Sequence, residues 1–415
     1  MKRTALLVAA ALIAAAAVVM TAGATPSATP GVTAKTILLE GTFPLSGPAS
    51  GYAPIPAAMK AYFSYVNAQG GVNGRQIVFK YDDDAYNPAN TVQITHKYVE
   101  QDHAFALVGG LGTETQQAVE AYLNQQKVPQ LFVSTGATTF DHDFAKYPWT
   151  IGWQPDYAAE GVIYGKYIAQ HLPNAKIGIL YQNDDYGGNY LSGFKAGLGS
   201  HTSQIVSTQP FDVNSPSPAQ QVAALAKSGA DTFVIFVTPT ATIQSYVIAT
   251  KLGWTPKNVF TNSVSATSTF LGIAAQSGST ITGGTFTVNY LLDPTNPTYA
   301  SAPGMKLYRQ IMAKYDPKGN VNDQLNVYGM AKAWNTVQLL KEAGKNLTRA
   351  GLMTAARSMN FTGATADPFL LPGIAIHTKA GYQYPISQVN LVQFENGVFK
   401  PIGGLIQGRA PKKGQ

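Results

Sequence analysis

An apolar β-run that stops at a loop of Gly, Ser, Thr or Tyr, followed at once by a helical pattern, recurs along this chain. No other feature constrains its fold as much. Residues 104–108 run into Gly109-Gly110-Leu111-Gly112-Thr113, and residues 130–133 into Ser134-Thr135-Gly136-Ala137-Thr138. Segments 177–181, 232–237 and 259–260 follow the same plan. Strands alternating with helices call for a parallel sheet covered on both faces. In such sheets these loops gather at the carboxyl ends of the strands, beside helix N-termini, where small ligands bind. The expectation is an α/β binder of small molecules.

The N-terminus sets the compartment. Lys2 and Arg3 precede an unbroken apolar run over residues 5–20, and Ala22-Gly23-Ala24 supplies the small-x-small pattern of a cleavage site. The run is shorter than the roughly 20 residues of a spanning helix. It reads as a signal peptide over residues 1–24, which makes the mature protein periplasmic or secreted after cleavage near Ala24. With no cysteine in the chain there is neither a lipid attachment site nor a disulfide framework. Residues 25–34 have little to bury and read as a flexible leader, and residues 406–415 as a flexible tail. Between them lies more chain than one core normally serves, so two lobes are expected. Loss of Lys2 and Arg3 lowers the net charge from +7 to +5. The remaining charges are dispersed, with no Lys/Arg run of the kind that binds nucleic acid.

The periodicity predicts a strand over 35–40, a loop at Pro44-Leu45-Ser46-Gly47-Pro48, and a helix over 55–67 with Met59, Phe63 and Val66 on one face. Gly70-Gly71 stops that helix and Asn73-Gly74 turns the chain into a strand over 76–81. Later helices are predicted over 157–171, 190–198, 220–228, 243–252, 304–315 and 327–343, and strands over 176–181, 232–237, 285–289, 388–394 and 398–402. Gly283-Gly284 marks a crossing point between lobes.

A Gly-rich turn between strand and helix exposes N–H groups at the positive end of the helix dipole. Gly110-Leu111-Gly112 begins a dinucleotide fingerprint, but Thr115 stands where its third glycine belongs. What these turns do carry is hydroxyls. Thr113, read as the N-cap of a helix starting at Glu114, and Thr138, in the equivalent place of the next unit, could hold a carboxylate or amide. Either could instead be a capping residue alone. Tyr52, Tyr186 and Tyr328 fall in or beside loops facing the expected cleft, offering apolar walls with polar tips. Trp149 and Trp153 flank the first crossover, where packing between lobes is the simpler role.

Pro44-Leu45-Ser46-Gly47-Pro48, Gly70-Gly71-Val72-Asn73-Gly74-Arg75, Asp82-Asp83-Asp84, Ser134-Thr135-Gly136-Ala137-Thr138 and Asp184-Asp185-Tyr186-Gly187 occur in this order. Taken together, the chain resembles the leucine/isoleucine/valine-binding (branched-chain amino acid type) periplasmic solute-binding proteins of ABC transporters. The resemblance covers residues 37–402. It implies a type I periplasmic-binding-protein fold, with two doubly wound parallel-sheet lobes joined by three crossovers and closing on a ligand. Lobe 1 would comprise 35–155 plus 286–382, and lobe 2 would comprise 156–285 plus 383–405. It further implies that Thr113 and Thr138 bond the ligand carboxylate, with backbone at Gly112, Gly136 and Ala137, and that Tyr52, Tyr328 and Tyr186 line the pocket. Ser263 stands where amino-acid binders place the acid that pairs with the ligand ammonium, and Thr238 replaces a second-lobe aromatic. Glu114, Asp184 and Asp185 are the candidate substitutes for that acid. These departures favour amides, ureas or amine-free carboxylates over leucine.

Enzyme readings find little support. There is no thiol nucleophile and no Gly-x-Ser-x-Gly elbow. The six histidines lack ligand spacing. Asp141-His142-Asp143 reads as a solvated turn and Asp82-Asp83-Asp84 as strand-end chemistry, so neither a metal nor a cofactor is expected. The expected function is that of an importer's solute-binding protein, not an enzyme, acting as a monomer. Its partners are a small-molecule ligand and an ABC permease in the membrane. The alternative is a ligand-sensing subunit on the same fold.

Overall fold

A computed structural model describes residues 29–379 and 382–408. The signal peptide and its cleavage site lie outside the described residues. The chain begins with β1 (Thr36–Phe43), α1 (Pro54–Asn67), β2 (Gln76–Asp83), α2 (Pro88–Glu100), β3 (Ala106–Val108), α3 (Thr113–Gln125), β4 (Gln130–Val133), α4 (Thr139–His142) and β5 (Thr150–Gly152). The five strands are parallel, in the order β2-β1-β3-β4-β5. The chain then crosses into α5 (Tyr157–His171), β6 (Ile177–Gln182), α6 (Asp185–Leu198), β7 (Ile205–Phe211), α7 (Ala219–Lys227), β8 (Thr232–Phe236), α8 (Pro239–Lys251), β9 (Asn258–Thr261), α9 (Ser268–Gln276) and β10 (Phe286–Asn289). Here the parallel order is β7-β6-β8-β9-β10, the same winding as in the first sheet.

Helices α10 (Pro303–Tyr315), α11 (Gln324–Glu342) and α12 (Arg349–Ala356) follow, and α10 and α11 pack on α1 of the first lobe. After the short pair β11 (Asn360–Phe361) and β12 (Ile376–His377), the chain returns to the second sheet. There β13 (Gln388–Glu395) and β14 (Val398–Pro401) add antiparallel strands beyond β10, and β15 (Ile406–Gln407) pairs with β13. The second sheet is therefore mixed.

Helix α1 shows why the sequence builds these layers. Ile55, Ala58, Met59, Tyr62, Phe63 and Val66 recur at helical spacing and are buried. Each large apolar side chain contributes about 1.5–3 kcal/mol relative to an exposed one. The helix ends where the Asn67 side chain bonds both N and O of Ile77 at 2.8 Å, clamping its last turn to β2. Asp83 then fixes the neighbouring loop, its Oδ1 accepting from the backbone N–H of Leu45, Ser46 and Ala85.

Three expectations are corrected. Residues 29–33 are tied down, not a loose leader: Thr29 Oγ1 donates to Leu347 O, Val32 pairs with Ile37, and Gly31 lies against Phe105. Ile406 and Gln407 are likewise a strand, not tail. Strand β10 belongs to the second sheet, so the crossing lies after Asn289 instead of at Gly283-Gly284.

Candidate ligand-binding cleft between two lobes

Both sheets point their carboxyl ends at one cavity of about 750 Å³, including its open mouth. In each sheet the strand order reverses beside the first strand, and ligands bind α/β sheets at that switch point. Six tyrosines line the cavity. Tyr52, Tyr86 and Tyr328 come from the first lobe, Tyr186 from α6, Tyr157 from the start of α5 and Tyr290 from just after β10, beside two of the crossings between lobes. Gln154, Asn289, Gln324, Thr113, Ser134, Thr238, Ser263, Thr267 and Thr287 complete its polar lining. Among the described residues no Asp, Glu, Lys, Arg or His side chain lines the cavity.

Of the residues singled out from sequence, Tyr52, Gly112, Thr113, Tyr186, Thr238, Ser263 and Tyr328 line this space. Gly136, Ala137 and Thr138 do not. Gly136 packs against Pro155 and Tyr157, and Ala137 O accepts from the Tyr384 hydroxyl. Thr138 N donates to Asn189 Oδ1 across the lobes at 2.7 Å. Their backbone groups hold crossovers and lobes together, and Ser134 is the residue of that loop that faces the cavity. Thr113 is not the cap of α3. Gly112 is, at φ 114, a conformation that glycine accepts readily. The Thr113 hydroxyl instead shares a 2.7 Å hydrogen bond with Thr135 Oγ1.

The three candidate acids stand outside the cavity. Glu114 is exposed, Asp184 caps α6 by accepting from Gly187 N, and Asp185 accepts from Gln117 Nε2 across the lobes at 3.0 Å. The acid near Ser263 is Glu160, on α5. Its Oε1 accepts from the Tyr164 hydroxyl at 2.6 Å and Ser263 N at 2.7 Å, and its Oε2 from Ser263 Oγ at 2.7 Å and the Tyr190 hydroxyl at 3.0 Å. Burial pushes its carboxyl above the usual range against the pull of those four bonds.

Behind the opposite wall lies a buried lysine. Lys332, on α11, is fully buried, and its Nζ donates to Ser134 Oγ and to the Tyr328 hydroxyl. It lies 4.3 Å from the Tyr328 ring centroid and 5.3 Å from that of Trp153. Tyr328 OH donates in turn to Gln154 Oε1 at 2.5 Å, and Gln154 Nε2 to Tyr157 OH at 3.0 Å. Burial without a counter-charge holds the Lys332 amine well below its usual range. Trp153 packs edge-on to Tyr328, with ring centroids 4.6 Å apart. Trp149 is only half-buried.

Sequence reasoning missed Glu160 and Lys332 because both read as ordinary helix-surface charges. It missed Gln154, Tyr157 and Tyr290 because it treated the crossovers as connections only, although segments that pass between lobes must border the cleft. Asp141 is also not solvated: it lies in the helical turn α4, is buried, and accepts from Gln383 N at 2.5 Å. Among the described residues no cluster of His, Cys, Asp or Glu could hold a metal ion, and no helix is long and apolar enough to cross a membrane.

The chain belongs to the periplasmic binding protein family, whose pattern it matches over residues 42–397. It is 28% identical over 134 residues to an amino acid binding protein of Pseudomonas aeruginosa, covering 32% of this chain and 35% of that one. It is 26% identical over 145 residues to Leu/Ile/Val-binding protein homolog 2 of Brucella abortus, covering 35% and 38%. The aligned stretch thus spans little more than a third of either relative. In structure it is similar to a branched chain amino acid ABC transporter protein of Thermus thermophilus with bound valine (TM-score 0.78, 17% identity, 90% and 96% coverage). It is also similar to a fatty acid ABC transporter substrate-binding protein of Thermomonospora curvata (TM-score 0.72, 23% identity, 92% and 95% coverage). At these identities the likeness establishes the type I periplasmic-binding fold.

Proposed function

We propose that the chain is an extracytoplasmic solute-binding protein that captures a small polar or amphipathic ligand between its lobes and delivers it to an ABC importer. One observation carries this reading: a tyrosine-walled cavity, free of charged lining, at the carboxyl ends of both sheets. Six phenols, two glutamines and an asparagine supply directional donors and acceptors on apolar walls, which suits reversible capture. Ser134 Oγ, the lining hydroxyl that meets the Lys332 amine, accepts from Nζ and donates its own proton to Gly109 O instead of to a base. Tyr186 OH is buried without a hydrogen-bond partner; Ser265 lies beside it but donates its own proton to Val237 O. A ligand acceptor would complete that hydroxyl. Contacts to both lobes then favour the closed form, the differential affinity that drives closure.

The Brucella relative's name speaks for amino acids and the Thermomonospora neighbour's for fatty acids, so amino acids, amides and carboxylates all belong in the first screen. The protein would act as a monomer in the periplasm or outside the cell, handing its ligand to a membrane permease. The test is thermal denaturation of the mature protein against these classes. A ligand at 100 times its Kd adds about 2.7 kcal/mol, a shift of several degrees. A saturable shift with the ligand recovered unchanged supports the reading, and conversion of the ligand to product overturns it.

A further inference from the structure

Among the described residues Lys332 has no counter-ion, and no acid lines the cleft. Among the described residues every salt bridge involves other groups. The surroundings of the amine are Tyr328 from its own helix, Ser134 from the loop after β4, Trp153 from the first crossover, and Met59 of α1 together with Gly109 beside its stem. The one titratable group among them is the Tyr328 phenol, which burial keeps protonated. A buried ammonium left in this state is costly, and an amine is not retained there for stability. Both hydroxyls that it touches line the cavity. The Lys332 nitrogen therefore stands one hydroxyl layer behind the wall. On the facing wall the Glu160 oxygens are already engaged by Tyr164, Tyr190 and Ser263, so an incoming ammonium finds no open carboxylate.

We propose that Lys332 is the residue that selects the ligand, and that the ligand is an organic carboxylate without an ammonium group, held at the Ser134 and Tyr328 end of the cleft. This rests on the solute-binding reading and deepens it. The amine acts through two hydroxyls, as a positioning residue. In the empty protein burial disfavours its ammonium form. A carboxylate arriving beside it restores the preference for the ammonium form, so binding takes one proton from solvent onto Nζ. Lys332 is then protonated, the ligand stays ionised, and the pair is neutral as a whole.

The experiment compares two matched sets of probes: 4-methylpentanoate, L-leucine and 4-methylpentanamide, and phenylacetate, L-phenylalanine and phenylacetamide. Binding to the mature protein is measured by titration calorimetry at pH 8 in two buffers of different ionisation enthalpy. The acid of at least one set should bind at least tenfold more tightly than its amino acid and its amide. The buffer dependence should report uptake approaching one proton. Lys332→Met, of similar volume and uncharged, should lower affinity for the acid at least tenfold, leave the amide within about twofold, and abolish the proton uptake. A merely structural lysine would move none of these selectively. Should Lys332→Met fail to fold, Ser134→Ala, which keeps the charge and removes one relay, should still cut affinity for the acid more than for the amide. Equal binding of acid and amide, preference for the amino acid, or binding of the acid without proton uptake overturns the carboxylate assignment and leaves the solute-binding reading standing. If none of the six probes binds the wild type, the solute-binding reading loses its support and the assignment falls with it.

Discussion

Replacing Glu160 in two ways separates its hydrogen bonds from its charge. In Glu160→Gln the amide oxygen can keep the Oε1 position, accepting from Tyr164 and Ser263 N, while the amide nitrogen donates to the hydroxyls of Tyr190 and Ser263, which can turn to accept. Weakened charge-assisted bonds are offset by removal of a buried charge, so the change should lie within about 1 kcal/mol. Glu160→Leu fills a similar volume but leaves Ser263 N and Tyr190 OH without partners. Tyr164 suffers less, because its hydroxyl already lies within bonding distance of Thr261 O and Thr287 Oγ1. Two orphaned buried donors at about 1–3 kcal/mol each place Glu160→Leu roughly 3 kcal/mol below Glu160→Gln. That corresponds to about 6–12 °C for a unit of 150–250 residues. The assay is urea and thermal unfolding of the three proteins at pH 5, 7 and 9. The folded-state carboxyl is raised above its unfolded value, so the wild type should lose stability as pH rises through the raised value, a slope that Glu160→Gln lacks. Leu and Gln variants equal to within about 0.5 kcal/mol would refute the claim that this carboxylate serves as an acceptor hub.

Glu120 offers a second pH test: burial lifts its carboxyl from 4.5 to about 8, so its contribution is full below pH 4.5 and lost as pH rises through 8. Glu120→Gln should be the more stable protein at pH 9 by a few kcal/mol, on the order set by 1.36 kcal/mol per unit, and equilibrium denaturation across pH reads the difference. Asn189→Ala removes the bond from Thr138 N that spans the lobes, between two residues outside the cavity lining. Ligand affinity should fall about three- to tenfold, with unfolding stability changed by less than about 1 kcal/mol, as calorimetry and denaturation would show. Gly193→Ala should destabilise by at least about 1–3 kcal/mol, since the added carbon would stand 2.0 Å from Ala158 O where α5 and α6 meet; thermal unfolding checks it.

The legibility of this chain follows from where its signals come from. Well-buried elements announced themselves: β4 and α5 fall on the residues that the hydrophobic pattern marks, 130–133 and 157–171. Strand β7 gave no signal, because an edge strand written Ile-Val-Ser-Thr-Gln-Pro-Phe is half exposed and spends its polar residues on solvent. The short β5 was equally silent, since three residues carry no period. In the cleft, tyrosines in loops were visible as candidates, because an aromatic in a polar turn has no local reason to be there. Ser134 was passed over for Thr138, since capping logic favours the residue next to a helix. The cavity instead takes the side chain at the strand's end, where the isolated bridge between Leu111 and Ser134 prolongs the sheet.

The placement of the two buried charges explains why a neutral wall can still discriminate. A charge lining the cavity would be hydrated in the open state, and a ligand would have to displace that water before gaining the pair. Lys332 and Glu160 are dehydrated during folding instead, so no water has to be stripped from either when ligand arrives, and on the carboxylate assignment what remains for the binding event is the transfer of one proton to Lys332. Hydroxyls of Ser134, Tyr328 and Ser263 line the cavity in front of each group and would carry the field of its ionised form across one hydrogen bond in a low-dielectric space. Such an arrangement gives selectivity for charge type without the strongest direct ion pair. A protein that must release what it captures gains from this, because slow dissociation is what a direct buried pair would impose.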